Sequence, residues 1–146
     1  MNIPHQALVL VADGRKLMFL RNEGDEVHPN LQVEEHHEQD NPATRDQGSA
    51  SPGRAPSGPN GISSAVGQTD FHQLEEDRFA AEAADMLRKR ALAGDFEQLI
   101  IAAPPTTLGE LRKHYHKAVK DRLVREIDKD LTGHPIDRIE QLLLAK

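Results

Sequence analysis

Apolar residues fall along this chain in runs of two different periods, and the change from one period to the other marks its elements. Gln6 to Ala12 and Lys16 to Arg21 are short runs rich in Val, Leu and Phe. Between them Asp13-Gly14 is a pair that readily takes the positive φ angles of a tight hairpin turn. The two runs predict antiparallel strands. Leu31 to Gln39 begins with Leu31 and Val33 two apart and continues into the polar EEHHEQ, the pattern of a half-exposed edge strand whose charges discourage sheet-to-sheet aggregation. Leu99 to Ala103 is apolar at every position, which predicts a central parallel strand covered on both faces. Leu123 to Ile127 alternates as a fifth strand.

Helical spacing fills the intervals. Thr69 or Asp70 starts a first helix, with Asp70 and Gln73 at capping-box spacing and Phe79, Ala83, Met86, Leu87 and Arg90 on one face. Gly94 is its natural C′ residue. Pro104-Pro105 cannot extend a sheet, and Thr107 with Glu110 forms a capping box for a second helix with the stripe Leu108, Leu111, Tyr115 and Ala118. Lys113, Lys117 and Lys120 lie toward its C-terminal half, where they favour the helix dipole. Pro135 starts a last helix with Ile136, Ile139, Leu142 and Leu143 inward. The order is βββαβαβα. Three antiparallel strands followed by αβαβα resembles the ribonuclease H-like arrangement, an α/β fold in which a mixed five-stranded sheet carries helices on its faces.

Length supports one domain over residues 1–146, since a chain of 146 residues falls within the usual size of one core. That core is built from Leu, Ile, Val and Ala, because the chain holds four Phe, one Tyr and no Trp. Residues 41–68 do not contribute to it. They carry Pro42, Pro52, Pro56 and Pro59 and half of the chain's ten Gly, which predicts a flexible Gly/Pro/Ser-rich loop, functional or disordered.

A net charge of -6 disfavours a general nucleic-acid binder while leaving room for local basic patches. The chain has no cysteine, which removes disulfides, thiolate nucleophiles and Cys-based zinc sites from consideration. The N-terminus lacks a basic n-region, its apolar run Ala7 to Ala12 is short, and no run approaches the roughly 20 residues that span a bilayer. A cytoplasmic protein without membrane insertion is the expectation.

Candidate chemistry is thin. A metal-dependent nuclease needs clustered carboxylates to hold its ions. Asp13 ends the first strand and Glu75 or Glu76 comes from the first helix, but the end of the central strand reads Ala102-Ala103-Pro104, so the cluster is incomplete. His36 and His37 are adjacent on a strand and point to opposite faces, while His114 and His116, two apart on a helix, do not face each other. Neither pair chelates one ion, and no metal or cofactor is expected. The serines lie outside any G-x-S-x-G setting, and no phosphate-cradling glycine motif is present. The charged run Glu126 to Thr132 leaves the last strand at the carboxyl edge, where open α/β sheets bind ligands. It is either a solvated turn, with Asp130 or Thr132 bonded to nearby backbone, or a partner-binding surface shared with the loop Pro104 to Thr107.

Four blocks, VADGRKLMFL, RFAAEAADML, IIAAPPTTLGELRKHYHKAV and REIDKDLTGHPIDRIE, together resemble the bacterial host attachment protein family, proteins required for attachment to host cells. The resemblance covers nearly the whole chain except Asn41 to Gln68. It implies a role in attachment, direct or indirect, and supplies no chemistry. The chain is also similar, more distantly, to the central domain of archaeo-eukaryotic class-one release factors, in which a Gly-Gly-Gln loop precedes a long helix. Val66-Gly67-Gln68 stands at the corresponding place, ahead of the helix containing Arg78-Phe79. Val66 replaces the first Gly, which speaks against peptidyl-tRNA hydrolysis.

The main expectation is therefore a non-enzymatic binding or regulatory domain. Its contacts are Gly67, Gln68 and Arg78 around the first helix, with Arg112 and Lys113 on the second. The carboxyl edge adds Pro105, Thr107, Glu126, Asp128, Lys129, Asp130, Thr132 and His134. The alternative is a ribosome- or RNA-associated factor, with Arg45 and Arg54 of the loop and the basic face of Arg112, Lys113, Lys117 and Lys120 on RNA. A nuclease comes last.

Overall fold

In the computed structural model, residues 2–39 and 61–145 are described, the side chains of 61–72 excepted. Five strands, β1 (Leu8–Ala12), β2 (Lys16–Asn22), β3 (Leu31–Glu38), β4 (Leu99–Ala102) and β5 (Leu123–Ile127), form one mixed sheet in the order β3-β2-β1-β4-β5. The helices are α1 (Gly61–Leu92), α2 (Pro105–Arg112), α3 (Lys117–Arg122) and α4 (Ile136–Leu144). β1 runs antiparallel to β2 and parallel to β4, and β4 runs parallel to β5. The α/β sheet expected from the pattern is thus present, with β4 internal and β3 and β5 at the edges.

Alternation along the strands divides the core into two layers. Leu8, Leu10, Leu17, Phe19, Leu99 and Ile101 face one side and pack on Phe79, Ala83 and Leu87 of α1, with Leu108 and Leu111 of α2 and Val119 of α3. Val9, Val11, Leu20, Ile100 and Ala102 face the other and pack on Ile139 and Leu143 of α4. Both layers exist because β1 and β4 are apolar at every position, and each residue of β1 and β4 is buried.

Several boundaries differ from the sequence reading. α1 begins at Gly61, not at Thr69 or Asp70, so 61–68 of the expected loop are helical and Gly67-Gln68 lies within a helix instead of ahead of one. Nothing after Pro59 in that stretch breaks a helix, and an internal Gly such as Gly67 costs only about 1 kcal/mol. The remainder of that loop, with Arg45 and Arg54, lies outside the described residues.

The expected second helix is two. α2 stops with Lys113 as its C-cap, and α3 restarts after His116, whose extended backbone and Nδ1, accepting from the Ala118 amide, cap it. His114, Tyr115 and His116 are poor helix formers, and the break lets Tyr115 reach β5 while Val119 is fully buried. The Thr107 and Glu110 capping box does not form: extended Pro104 is the N-cap, without a side-chain bond, and proline occupies the first turn.

The Asp13-Gly14 turn also closes differently. Among the described residues, positive φ occurs only at Gln6 and at Gly94, the expected C′ residue of α1. The Asp13 carboxylate instead accepts the amides of Arg15 and Lys16 at 2.7 and 2.8 Å, an Asx-type turn. Gly14 serves close approach: a Cβ there would stand 2.8 Å from the Glu76 carboxyl carbon.

Candidate functional site

Because β1, β4 and β5 are parallel, their carboxyl ends converge at one edge, where Asp13, the Pro104-Pro105 loop and the segment after Ile127 meet. Leu131 is buried and anchors that segment. Beside it the Thr132 hydroxyl lies 3.1 Å from Asp13 Oδ2 and also contacts Asp130. The Thr132 amide donates to Asp130 Oδ1 at 2.9 Å, the local backbone bond expected of a turn. Pro105, Asp128, Lys129, Asp130 and His134 are exposed there, while Thr107 and Thr132 are half-buried.

A cavity of about 210 Å³ opens next to this edge, between Lys16 and Met18 of β2, His36 and Glu38 of β3, and Thr132. His36 pairs with Met18 and His37 with Leu17 in the ladder, so the two imidazoles stand on opposite faces as their adjacency requires. His37 bonds Glu35 at 2.6 Å, and His36 is exposed. Glu75 is occupied by Gln39 and Arg78, at 2.9 and 2.8 Å. Among the described residues no group of three or more His, Asp or Glu side chains is arranged to hold a metal ion.

The second concentration of expected residues is the corner between α2 and α3, which flanks β5. Glu126 on β5 accepts from Arg112 Nη2 at 2.7 Å and from the Tyr115 hydroxyl at 2.7 Å. Burial raises the Glu126 carboxyl, and the bonds from Arg112 and Tyr115 outweigh it and hold the group below the usual carboxylate range. Burial, then the Glu126 bond, pushes the Tyr115 phenol far above its ordinary value. Arg112 and Glu126, both expected as partner contacts, therefore contact each other, and Lys113 pairs with Glu110 at 2.8 Å. Between Leu111 and Lys120 there is no acidic residue, and Arg112, Lys113, His114, His116, Lys117 and Lys120 are all exposed. Among the described residues no ion pair is formed by Lys117 or Lys120.

A third set escaped the sequence reading. Arg21 of β2 is buried and reaches Glu34 and Asp95; Arg90 of α1 reaches Glu34, Glu35 and the same Asp95, all between 2.8 and 3.1 Å. This network ties the edge hairpin to the end of α1. Three of its five pairs join residues 55, 56 and 74 positions apart, so only an arginine on the apolar face of a helix hinted at it. Arg125 performs a similar task on the other layer, donating to the Leu143 carbonyl at 3.2 Å.

No helix among the described residues is long and apolar enough to cross a membrane, and no curated protein matches the chain. The family found supports the release-factor resemblance and not the host-attachment one. The model of bacterial archaeo-eukaryotic release factor family 12 matches residues 6–143, and the chain belongs to that family.

Proposed function

We propose that this protein is a ribosome- or RNA-associated factor that binds without catalysing peptidyl-tRNA hydrolysis. The observation that carries the reading is the family match over residues 6–143, which makes translation the natural setting. The acid-free, exposed segment Arg112 to Lys120 supports RNA contact on a chain whose overall charge is negative, since phosphate binding depends on local cations. A binding role is supported by the absence of a reacting group where the fold would present one. Asp13 is committed to turn amides and Thr132, and Ala103-Pro104 offers no acid. On this reading any part in host attachment follows indirectly from an effect on translation. The exposed carboxyl edge, Pro105 with Asp128 to Asp130 and His134, is then available to a protein partner, with Gly67, Gln68 and Arg78 of α1 as further contacts.

Co-sedimentation with bacterial ribosomes tests the reading. The purified protein is expected to travel with ribosomes at low salt and to be lost from them as salt rises. Neutralising Arg112, Lys113, Lys117 and Lys120 together should abolish the association. Absence of co-sedimentation at low salt overturns the reading, and release of peptide from peptidyl-tRNA by the protein overturns its non-catalytic part.

A further inference from the structure

We infer that the end of the β2–β3 hairpin nearest the Asp13 turn holds a site for a free α-amino acid with an apolar side chain, bound as its zwitterion through Lys16 and Glu38. The site lies on the sheet face away from α2 and α3 and is separate from the basic corner.

The fold leaves this place open. Met18 belongs to the layer packed on α4, whereas α2 and α3 cover the other layer. α4 has nine residues, about 13 Å of helix, and it meets β3 at the Leu31 end, where the Leu31 amide donates to Glu140 at 2.8 Å. At the opposite end of the hairpin His36 and Glu38 are exposed, and the cavity of about 210 Å³ is walled by Lys16, Met18, His36, Glu38 and Thr132. Lys16 and Met18 are two apart on β2, with Glu38 opposite Lys16 and His36 opposite Met18, so these four side chains rise from one face.

The charges there are complementary and unused. Opposite charges at directly opposed positions of an antiparallel pair stand about 5 Å apart at Cβ and ordinarily pair with each other. Lys16 and Glu38 do not: neither forms an ion pair among the described residues, and both stand on the cavity wall. A lone anion drawn to Lys16 would meet Glu38, and a lone amine drawn to Glu38 would meet Lys16. A carboxylate and an ammonium on one carbon answer both at once.

The remaining walls extend that match. The exposed His36 imidazole carries an N–H donor for the carboxylate in either tautomer. The Thr132 hydroxyl has its one proton directed to Asp13 or Asp130, which leaves lone pairs to accept from the ammonium. Half-buried Met18 supplies an apolar wall, and a thioether adapts to aliphatic groups of different shape. The volume is below the roughly 300–1,000 Å³ of drug-sized sites, which suits a single amino acid. A peptide or an aminoacyl ester does not present a free ammonium and a free carboxylate on the same carbon.

Saturation-transfer NMR on the full chain tests the inference, with L-leucine as the probe. Isoamylamine, which is leucine without its carboxylate, isocaproate, which is leucine without its amine, leucine methyl ester and guanosine serve as comparisons. Leucine is expected to bind in the millimolar range or more tightly, and each of the other four at least tenfold more weakly. Lys16→Met and Glu38→Gln should each weaken leucine at least tenfold, with the far-ultraviolet circular dichroism unchanged. Absence of leucine binding at about 10 mM overturns the inference, as does equal binding of any comparison compound or undiminished binding by both folded variants. The ligand comparison uses the unaltered chain, so it decides the matter where a variant fails to fold. Ribosomes play no part in it, and its failure leaves the translational reading in place.

Discussion

The Arg90 guanidinium lies 4.6 Å from the centroid of the Phe19 ring and bonds three carboxylates, Glu34 and Glu35 of β3 and Asp95 of the loop after α1. A cation over an aromatic face gains about 0.5–2 kcal/mol, and here the ring is buried while the guanidinium bonds Glu34, Glu35 and Asp95. That contact explains how an arginine occupies the apolar face of α1.

Arg90→Ala removes the ring contact and leaves three carboxylates near one another, with Arg21 their remaining cation. Destabilisation of about 2 kcal/mol is expected, below the cost for a fully buried pair because the carboxylates are partly solvated. Urea unfolding measures it. A loss under about 0.5 kcal/mol, the range of ordinary surface substitutions, would show that the network contributes nothing.

The same network sets a dependence on acid. The Arg90 bond, followed by that from His37, holds the Glu35 carboxyl below its ordinary value of 4.5. A carboxyl depressed in the folded state contributes stability that is present above the unfolded value and disappears as pH falls through the folded one. Stability is therefore expected to decline below about pH 4.5, and Glu35→Gln should make the decline shallower. An identical profile for the variant would remove Glu35 as its source.

Tyr115 is the only tyrosine, so its phenolate absorbance reports one site. Burial and the Glu126 bond raise its pKa above the ordinary 10.0, hence stability tied to the neutral phenol is present below that value and lost as pH rises above it. Spectrophotometric titration should show ionisation only well above 10.0 or together with alkaline unfolding. Glu126→Gln, by removing the facing charge, should bring the titration down. A titration at the ordinary value in the native chain would contradict the observed bond.

Asn22 is fully buried and organises the turn between β2 and β3. Its amide donates to the carbonyls of Ile3, Pro4 and Asp25, and its oxygen accepts the amides of Gly24 and Asn30. Asn22→Ala leaves these backbone groups without that partner, and a loss of about 3 kcal/mol follows from the cost of unsatisfied buried polar groups. Thermal unfolding with circular dichroism tests it, and a change within about 0.5 kcal/mol would mean that water replaces the side chain freely.

The strands and their class were legible because their signal is local. Period-two runs, an all-apolar Leu99 to Ala103 and proline at Pro104 and Pro135 act within a few residues, and the observed sheet follows them closely. The positive φ at Gly94 was legible for the same reason. The turn at Gly14 was misread because a carboxylate bonding its own neighbours competes with the glycine conformation, and both are compatible with Asp-Gly. The long helix was divided wrongly because the stripe Leu108, Leu111, Tyr115 and Ala118 continues across the break. The break falls at His114 to His116, poor helix formers, and it lets Tyr115 bond Glu126 on a strand that sequence spacing does not align with it.

By itself, then, the sequence determined an α/β chain with a buried central strand and a polar edge, since periodicity and residue chemistry are properties of neighbours in the chain. Only the tertiary structure decided which charges are taken and which are left. Arg112 is held by Glu126 and Arg90 by Glu34, Glu35 and Asp95, whereas Lys117 and Lys120 remain without an ion pair among the described residues. Such pairings depend on the sheet order that brings distant segments together, because electrostatic attraction acts through space over a few ångströms and takes no account of distance along the chain.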